Sequence, residues 1–162
     1  MIEQVITRKN MRLACTHVVQ NKGAAGVDGM PVNELYQHVQ QHREGIALAV
    51  TKGVYLPPSI LGVTIPKSNG STRLLGIPTV ADRWLQQCVL QVIAPRFEYE
   101  FKEHSYGFRP GKNALQCVQQ SQQYINEGYQ HIVDIDLKSF FDEVDHCLLL
   151  NLLHRKHPMS TL

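Results

Sequence analysis

Ser68-Asn-Gly-Ser71 separates two short β-prone runs, Ile60 to Pro66 and Thr72 to Pro78. An Asn-Gly pair supplies the backbone a tight reversal needs, so the two runs are read as an antiparallel hairpin. Pro66 has no amide to donate, which places its strand at a sheet edge. Lys67 and Arg73 flank the tip, and register decides whether they act together. A two-residue turn at 69–70 pairs Lys67 with Thr72 and sends Arg73 to the opposite face. A three- or five-residue loop sets Lys67 across from Arg73 on one face. Two cations so placed repel each other unless an anion lies between them. They are either solvated edge charges that discourage aggregation or a clamp on a polyphosphate.

The hairpin leads into the clearest helix. Ala81, Trp84, Leu85, Cys88, Val89, Val92 and Ile93 keep helical spacing without a break. Thr79 is its N-cap, Asp82 favours its dipole, and Pro95 ends or kinks it. Trp84 belongs to the core. Upstream, residues 4–20 read as one helix with Met11, Ala14, Cys15, Val18 and Val19 inward. Asn21-Lys-Gly-Ala-Ala-Gly-Val-Asp-Gly-Met-Pro31 cannot be helical. It is either a connector or a loop whose backbone approaches a partner closely. Asn33 caps a second helix to about Val50, with Leu35 or Tyr36, Val39, Ile46, Ala47 and Val50 on its apolar face. His38 and His42 lie one turn apart on it, but no third ligand accompanies them in a metal-binding pattern.

Downstream, Ser105-Tyr-Gly-Phe-Arg-Pro-Gly111 is a compact loop opening onto a helix from about Asn113 to Glu127. That helix has Ala114, Cys117, Val118, Ser121, Tyr124 and Ile125 inward, and Gly128 stops it. Arg109 contacts a backbone phosphate or packs on Tyr106 or Phe108. Then comes Ile132-Val-Asp-Ile-Asp-Leu-Lys-Ser-Phe-Phe-Asp142, a short strand closed by Asp136. After a turn, Asp145 caps a leucine-rich helix. A carboxylate at a strand end beside an exposed carbonyl offers hard oxygens to a divalent metal. A polar strand edge followed by an N-cap accounts for the same residues.

Hydrophobic content of 43% supports a core. No apolar run approaches a membrane span and no signal peptide is visible. Cys15, Cys88, Cys117 and Cys147 lack ligand spacing and read as reduced core residues of a cytoplasmic protein. Residues 1–112 carry 13 Lys/Arg against 8 Asp/Glu, a net +5; residues 113–162 carry 3 against 6, a net −3. That asymmetry suits a phosphate-holding surface followed by a metal-holding one.

Five blocks, in order, resemble group II intron-encoded reverse transcriptase/maturases and related bacterial reverse transcriptases. Asn21 to Gly29 is similar to their opening block. Ile65-Pro-Lys through Arg73-Leu-Leu-Gly-Ile-Pro78 resembles their fingers hairpin, and Ala81-Asp-Arg-Trp-Leu-Gln-Gln87 the helix after it. Ser105 to Ala114 resembles the next block, and Asp134 to Asp142 the first catalytic palm motif. The match covers nearly the whole chain.

The resemblance implies an α+β fold: mostly helical fingers with a β-hairpin over 1–104, then a fingers/palm junction with the first palm strand and helix over 105–162. It implies an RNA-directed DNA polymerase that also assists intron splicing, using Mg²⁺, deoxynucleoside triphosphates (dNTP), an intron RNA template and a DNA primer. By resemblance Asp136 is a ligand to both metal ions and the Leu137 carbonyl a ligand to one. Phe141 sits under the incoming sugar as a steric gate. Lys67 and Arg73 hold the triphosphate, and Arg109 and Lys112 lie near template or primer. The family's second metal motif, an aromatic-Ala-Asp-Asp run, does not occur in these residues. The chain is therefore expected to be an N-terminal portion of a longer protein, inactive alone. Without partner strands beside Asp136, self-association or disorder is expected near 129–162. The alternative is a non-catalytic module that grips RNA through its fingers; a plain α+β domain without a nucleic-acid role is the third reading.

Overall fold

The computed structural model describes residues 1–68, 70–137 and 139–156. Asn69 of the turn, Lys138 of the acidic motif and the last six residues lie outside them. The fold is α+β, with six α-helices and one two-stranded antiparallel sheet among the described residues. The chain divides into two compact units, Met1–Arg96 and a second from Phe97 onward.

The first unit opens with α1 (Ile2–Val5) and α2 (Arg8–Gln20), not one continuous helix. The break is Thr7. Its hydroxyl donates to the Gln4 carbonyl at 3.0 Å and accepts from the Asn10 amide at 3.3 Å, starting a new helix. Residues 21–31 form the expected irregular loop. Asn33 does not cap the next helix. The chain leaves Pro31 through a 3₁₀ turn, Val32–Glu34, and α3 (Leu35–Thr51) starts without a side-chain cap. Leu35, not Tyr36, is the buried residue of its first turn. Gly53, at φ +65°, turns the chain away from α3.

β1 (Leu61–Pro66) pairs antiparallel with β2 (Thr72–Ile77). α4 (Val80–Phe97) follows and runs two residues past Pro95. Thr79 caps it as expected, its Oγ1 accepting from the Asp82 amide at 3.1 Å. The core lies where α1, α2, α3 and α4 meet: Val5, Met11, Ala14, Cys15, Val18, Leu35, Val39, Val80, Trp84 and Cys88. Burying a large apolar side chain there stabilises by about 1.5–3 kcal/mol. Polar side chains fix how α2 meets α4. Asn10 Nδ2 donates to the Cys88 carbonyl at 2.9 Å, and Gln91 Nε2 donates to Asn10 Oδ1 at 2.7 Å.

The second unit has no fully buried residue among those described. A 3₁₀ turn, Glu98–Glu100, leads to the 101–113 loop and then to α5 (Ala114–Asn126). Asn113 and Gln116 form a reciprocal capping box, at 3.0 and 2.9 Å. The face expected inward, with Cys117, Val118, Tyr124 and Ile125, is exposed within this unit. Cys117 and Cys147 are therefore not core residues; Cys15 and Cys88 are. The strand expected at 132–136 does not form. Residues 131–137 have no regular secondary structure, and among the described residues no backbone hydrogen bond ties them to a second strand. A strand exists only through its ladder, so alternating side chains alone do not make one. Asp145 caps α6 (His146–Lys156) as expected, accepting from the Leu148 amide at 2.9 Å.

Candidate functional site

In the first unit the candidate site is the hairpin tip. Ile65 pairs with Arg73 and Pro66 with Thr72, and the Lys67 amide donates to the Ser71 carbonyl at 2.7 Å. The connection is thus three residues, 68–70. The Gly70 amide donates to the Lys67 carbonyl at 3.1 Å, and Gly70 takes φ +80°, a conformation open to glycine. This register puts Lys67 and Arg73 on one face. They are not directly opposite: Ser71 faces Lys67, and Arg73 stands one step along the same side. Such diagonal neighbours lie roughly 7–8 Å apart at Cα, which separates the charges while leaving both in reach of one polyanion. Both strands are exposed nearly throughout, and so are both cations.

At the hairpin's base, both stems converge on Asp82. The Tyr55 hydroxyl donates to Asp82 Oδ1 at 2.6 Å and the Thr79 hydroxyl to Oδ2 at 2.7 Å. Burial, and then this carboxylate, push the Tyr55 phenol well above its ordinary value. The sequence singled out Asp82 only for the helix dipole. Nothing local links it to Tyr55, 27 residues earlier.

The glycine loop is docked by its own backbone. A Cβ on Gly26 would fall 2.6 Å from Thr79 Cα and 2.9 Å from the Pro78 carbonyl oxygen. Arg83 lies against Gly23 and donates to the Ala24 carbonyl. The close approach that glycines allow is therefore made here to the chain itself.

In the second unit, Arg109 is a brace. Nε and Nη2 donate to Glu98 Oε1 at 3.0 and 2.8 Å, and Nη2 reaches the Glu98 carbonyl at 3.5 Å. Nη1 donates to the Lys102 and Ser105 carbonyls at 2.8 Å each. All five donors are engaged, the side chain is 9% exposed, and the guanidinium lies over Phe101, not Tyr106 or Phe108. In this arrangement every N–H of the guanidinium is taken by the protein's own acceptors, and the side chain braces the 98–109 loop. Lys112 differs. It donates to the Glu103 carbonyl at 2.9 Å and stands over Tyr106, which uses one of its three donors.

Asp136 and Leu137 are exposed in the irregular stretch before the turn. The Asp142 and Glu143 amides donate to the Ser139 carbonyl at 3.0 and 3.1 Å, with Ser139 at φ +51°. Phe140 and Phe141 meet edge to face, 5.4 Å between centroids, and Phe141 is 88% exposed. The Asp136 carboxylate and Leu137 carbonyl are hard oxygen donors of the kind Mg²⁺ takes. Among the described residues no group of three or more His, Cys, Asp or Glu gathers around a common point. His38 and His42 stack at 4.5 Å, with His42 Nδ1 3.0 Å from the His38 carbonyl.

The family model described as reverse transcriptase (RNA-dependent DNA polymerase) matches residues 65–160, more than half of the chain. The chain belongs to the reverse transcriptase family. The matched span runs from the hairpin, with Lys67 and Arg73, through Asp136 and Phe141. The chain is 32% identical to Protein YkfC of Escherichia coli (strain K12), over 85% of this chain and 38% of that protein. It is 28% identical to the group II intron-encoded protein LtrA of Lactococcus lactis subsp. cremoris, over 89% of this chain and 24% of that one. It is 30% identical to nuclear intron maturase 1, mitochondrial, of Arabidopsis thaliana, over 48% of this chain and 11% of that protein. The match thus spans well under half the length of each of these relatives. Reverse transcriptases as a family work on RNA and DNA with divalent metal ions. Among the described residues no helix is long and apolar enough to cross a membrane.

Proposed function

We propose that this chain is the N-terminal fingers and early palm portion, over 1–104 and 105–162, of a group II intron-type RNA-directed DNA polymerase that also assists splicing of its intron RNA. The observation that carries the reading is the hairpin register, which sets Lys67 and Arg73 on one exposed face within the reverse transcriptase match. Two cations at a solvated tip are suited to a triphosphate, whose charge shifts toward the leaving oxygens during nucleotidyl transfer.

Asp136 and the Leu137 carbonyl would hold Mg²⁺. The bound ions supply charge at the attacking and leaving oxygens. Phe141, with an exposed ring two residues past the Ser139 turn, lies under the incoming sugar and rejects a 2′-hydroxyl by contact. Lys112 neutralises a template or primer phosphate. One carboxylate cannot complete two octahedral oxygen shells, so the 162 residues alone do not extend a primer. Exposed Ile132, Val133 and Ile135 support self-association of the isolated chain. Four free thiols are in keeping with a cytoplasmic setting.

The test is primer extension on an RNA template by the full-length protein carrying these residues. Asp136→Ala is expected to abolish it, and retained extension would overturn the reading.

A further inference from the structure

Asp82 holds both ends of the hairpin with one carboxylate. Tyr55 lies six residues before β1 and Thr79 two residues after β2, and their hydroxyls take different oxygens of Asp82, at 2.6 and 2.7 Å. Only a carboxylate can do this. An amide in its place offers one acceptor oxygen and one donor nitrogen, so one hydroxyl proton would lose its acceptor. Asp82 is 5% exposed, and in such surroundings these hydrogen bonds are strong and directional.

The stems are not closely packed on α4 throughout. An open groove of about 610 Å³ lies between them, walled by Pro57, Pro58, Ile60 and Pro78 from the stems and by Leu85 and Val89 from α4. The Thr79 stem has a second restraint in the Gly26 backbone pressed against it. The Tyr55 stem, which leads to Lys67, is tied to α4 by the phenol–carboxylate bond.

We propose that Asp82 is a positioning residue for nucleotide binding. Through Tyr55 and Thr79 it sets the angle at which the hairpin leaves α4, and so where Lys67 and Arg73 are presented. This rests on the reading of those two cations as triphosphate ligands.

The experiment is steady-state primer extension by the full-length protein as dNTP is varied, in a double-mutant cycle. Tyr55→Phe keeps the ring and removes the bond. It is expected to raise the KM for dNTP about five-fold with kcat within about two-fold. Asp82→Asn is expected to act in the same direction and more strongly. A merely structural role would lower the folded fraction, and so kcat, while leaving KM alone. On a Lys67→Ala/Arg73→Ala background, Tyr55→Phe should add almost nothing to KM, because its effect passes through those cations. An unchanged KM in Tyr55→Phe overturns the proposal, as does a full five-fold rise on the background lacking the cations. If Lys67→Ala/Arg73→Ala itself leaves KM at the wild-type value, the triphosphate reading fails first and takes this one with it.

Discussion

The indole Nε1 of Trp84 donates to the Met11 carbonyl at 2.9 Å, joining α4 to α2 across 73 residues with both partners buried. Trp84 is therefore a core residue with a satisfied polar handle, not a stacking platform for bases. Trp84→Phe should lower the unfolding free energy by about 2–4 kcal/mol, from the lost bond and the smaller ring. Urea denaturation of the 162-residue chain measures it. A loss under about 0.5 kcal/mol would contradict the packing described.

Two glycines of the same loop should respond differently. At Gly26 an added methyl meets backbone atoms of Thr79 and Pro78, which cannot rotate away. Gly29 has open space around it, but its φ is +70°. Gly26→Ala is expected to cost about 2–3 kcal/mol through overpacking, and Gly29→Ala about 1 kcal/mol through backbone strain. Equal costs in paired denaturation curves would mean that the loop is not seated on Thr79.

Arg109 and Lys112 are three residues apart and should separate cleanly in an RNA-binding assay. Arg109→Lys loses the forked contact with Glu98 and should expose the 98–112 loop to protease at a cost of about 1–3 kcal/mol. It should leave the salt dependence of RNA affinity unchanged. Lys112→Ala should reduce the slope of log affinity against log salt by about one phosphate contact. A reduced slope in Arg109→Lys would place that residue on the nucleic-acid surface.

Alkaline pH should loosen the first unit. Burial pushes the Cys15 thiol from 9.0 to about 11, and burial followed by the neighbouring Cys15 pushes Cys88 from 9.0 to about 12. The fold prefers both thiols neutral. As pH rises past 9.0 the unfolded chain releases its protons first, and stability falls until the folded thiols ionise, near 11 and 12. Each thiol contributes a loss of roughly one kcal/mol per pH unit within its window. Urea midpoints between about pH 8 and pH 11 should fall more steeply in the native chain than in Cys15→Ala/Cys88→Ala. Parallel profiles would show that the thiols do not drive the change.

Most local signals in the sequence are legible, although Asn33 does not cap α3, because a 3₁₀ turn over Val32–Glu34 intervenes. The hairpin, the caps at Thr79 and Asp145, and the stop at Gly128 each depend on residues within a turn of one another. Trp84 and Cys88 follow from helical spacing. What escaped reading depends on contacts far along the chain or on competition between bonds. Arg109 finds Glu98, eleven residues back, among several reachable acids and aromatics. Tyr55 and Asp82 carry no mutual pattern. Thr7 splits a helix that apolar spacing alone would continue. The alternation at 132–136 gives the right faces for a strand but cannot supply a neighbour to pair with. At the candidate site, residue types raise a two-cation clamp and a carboxylate suited to a metal, while the register that joins Lys67 to Arg73 depends on the loop length the chain adopts.

The odd number of residues joining β1 to β2 makes the spacing of this tip a chemical variable in its own right. Dropping or adding one residue there, of any kind, would carry Arg73 round to the far side of the ribbon without altering a single charge in the composition. An edit in length would then do the work of deleting a guanidinium, whereas a two-residue edit would keep both cations facing the same way.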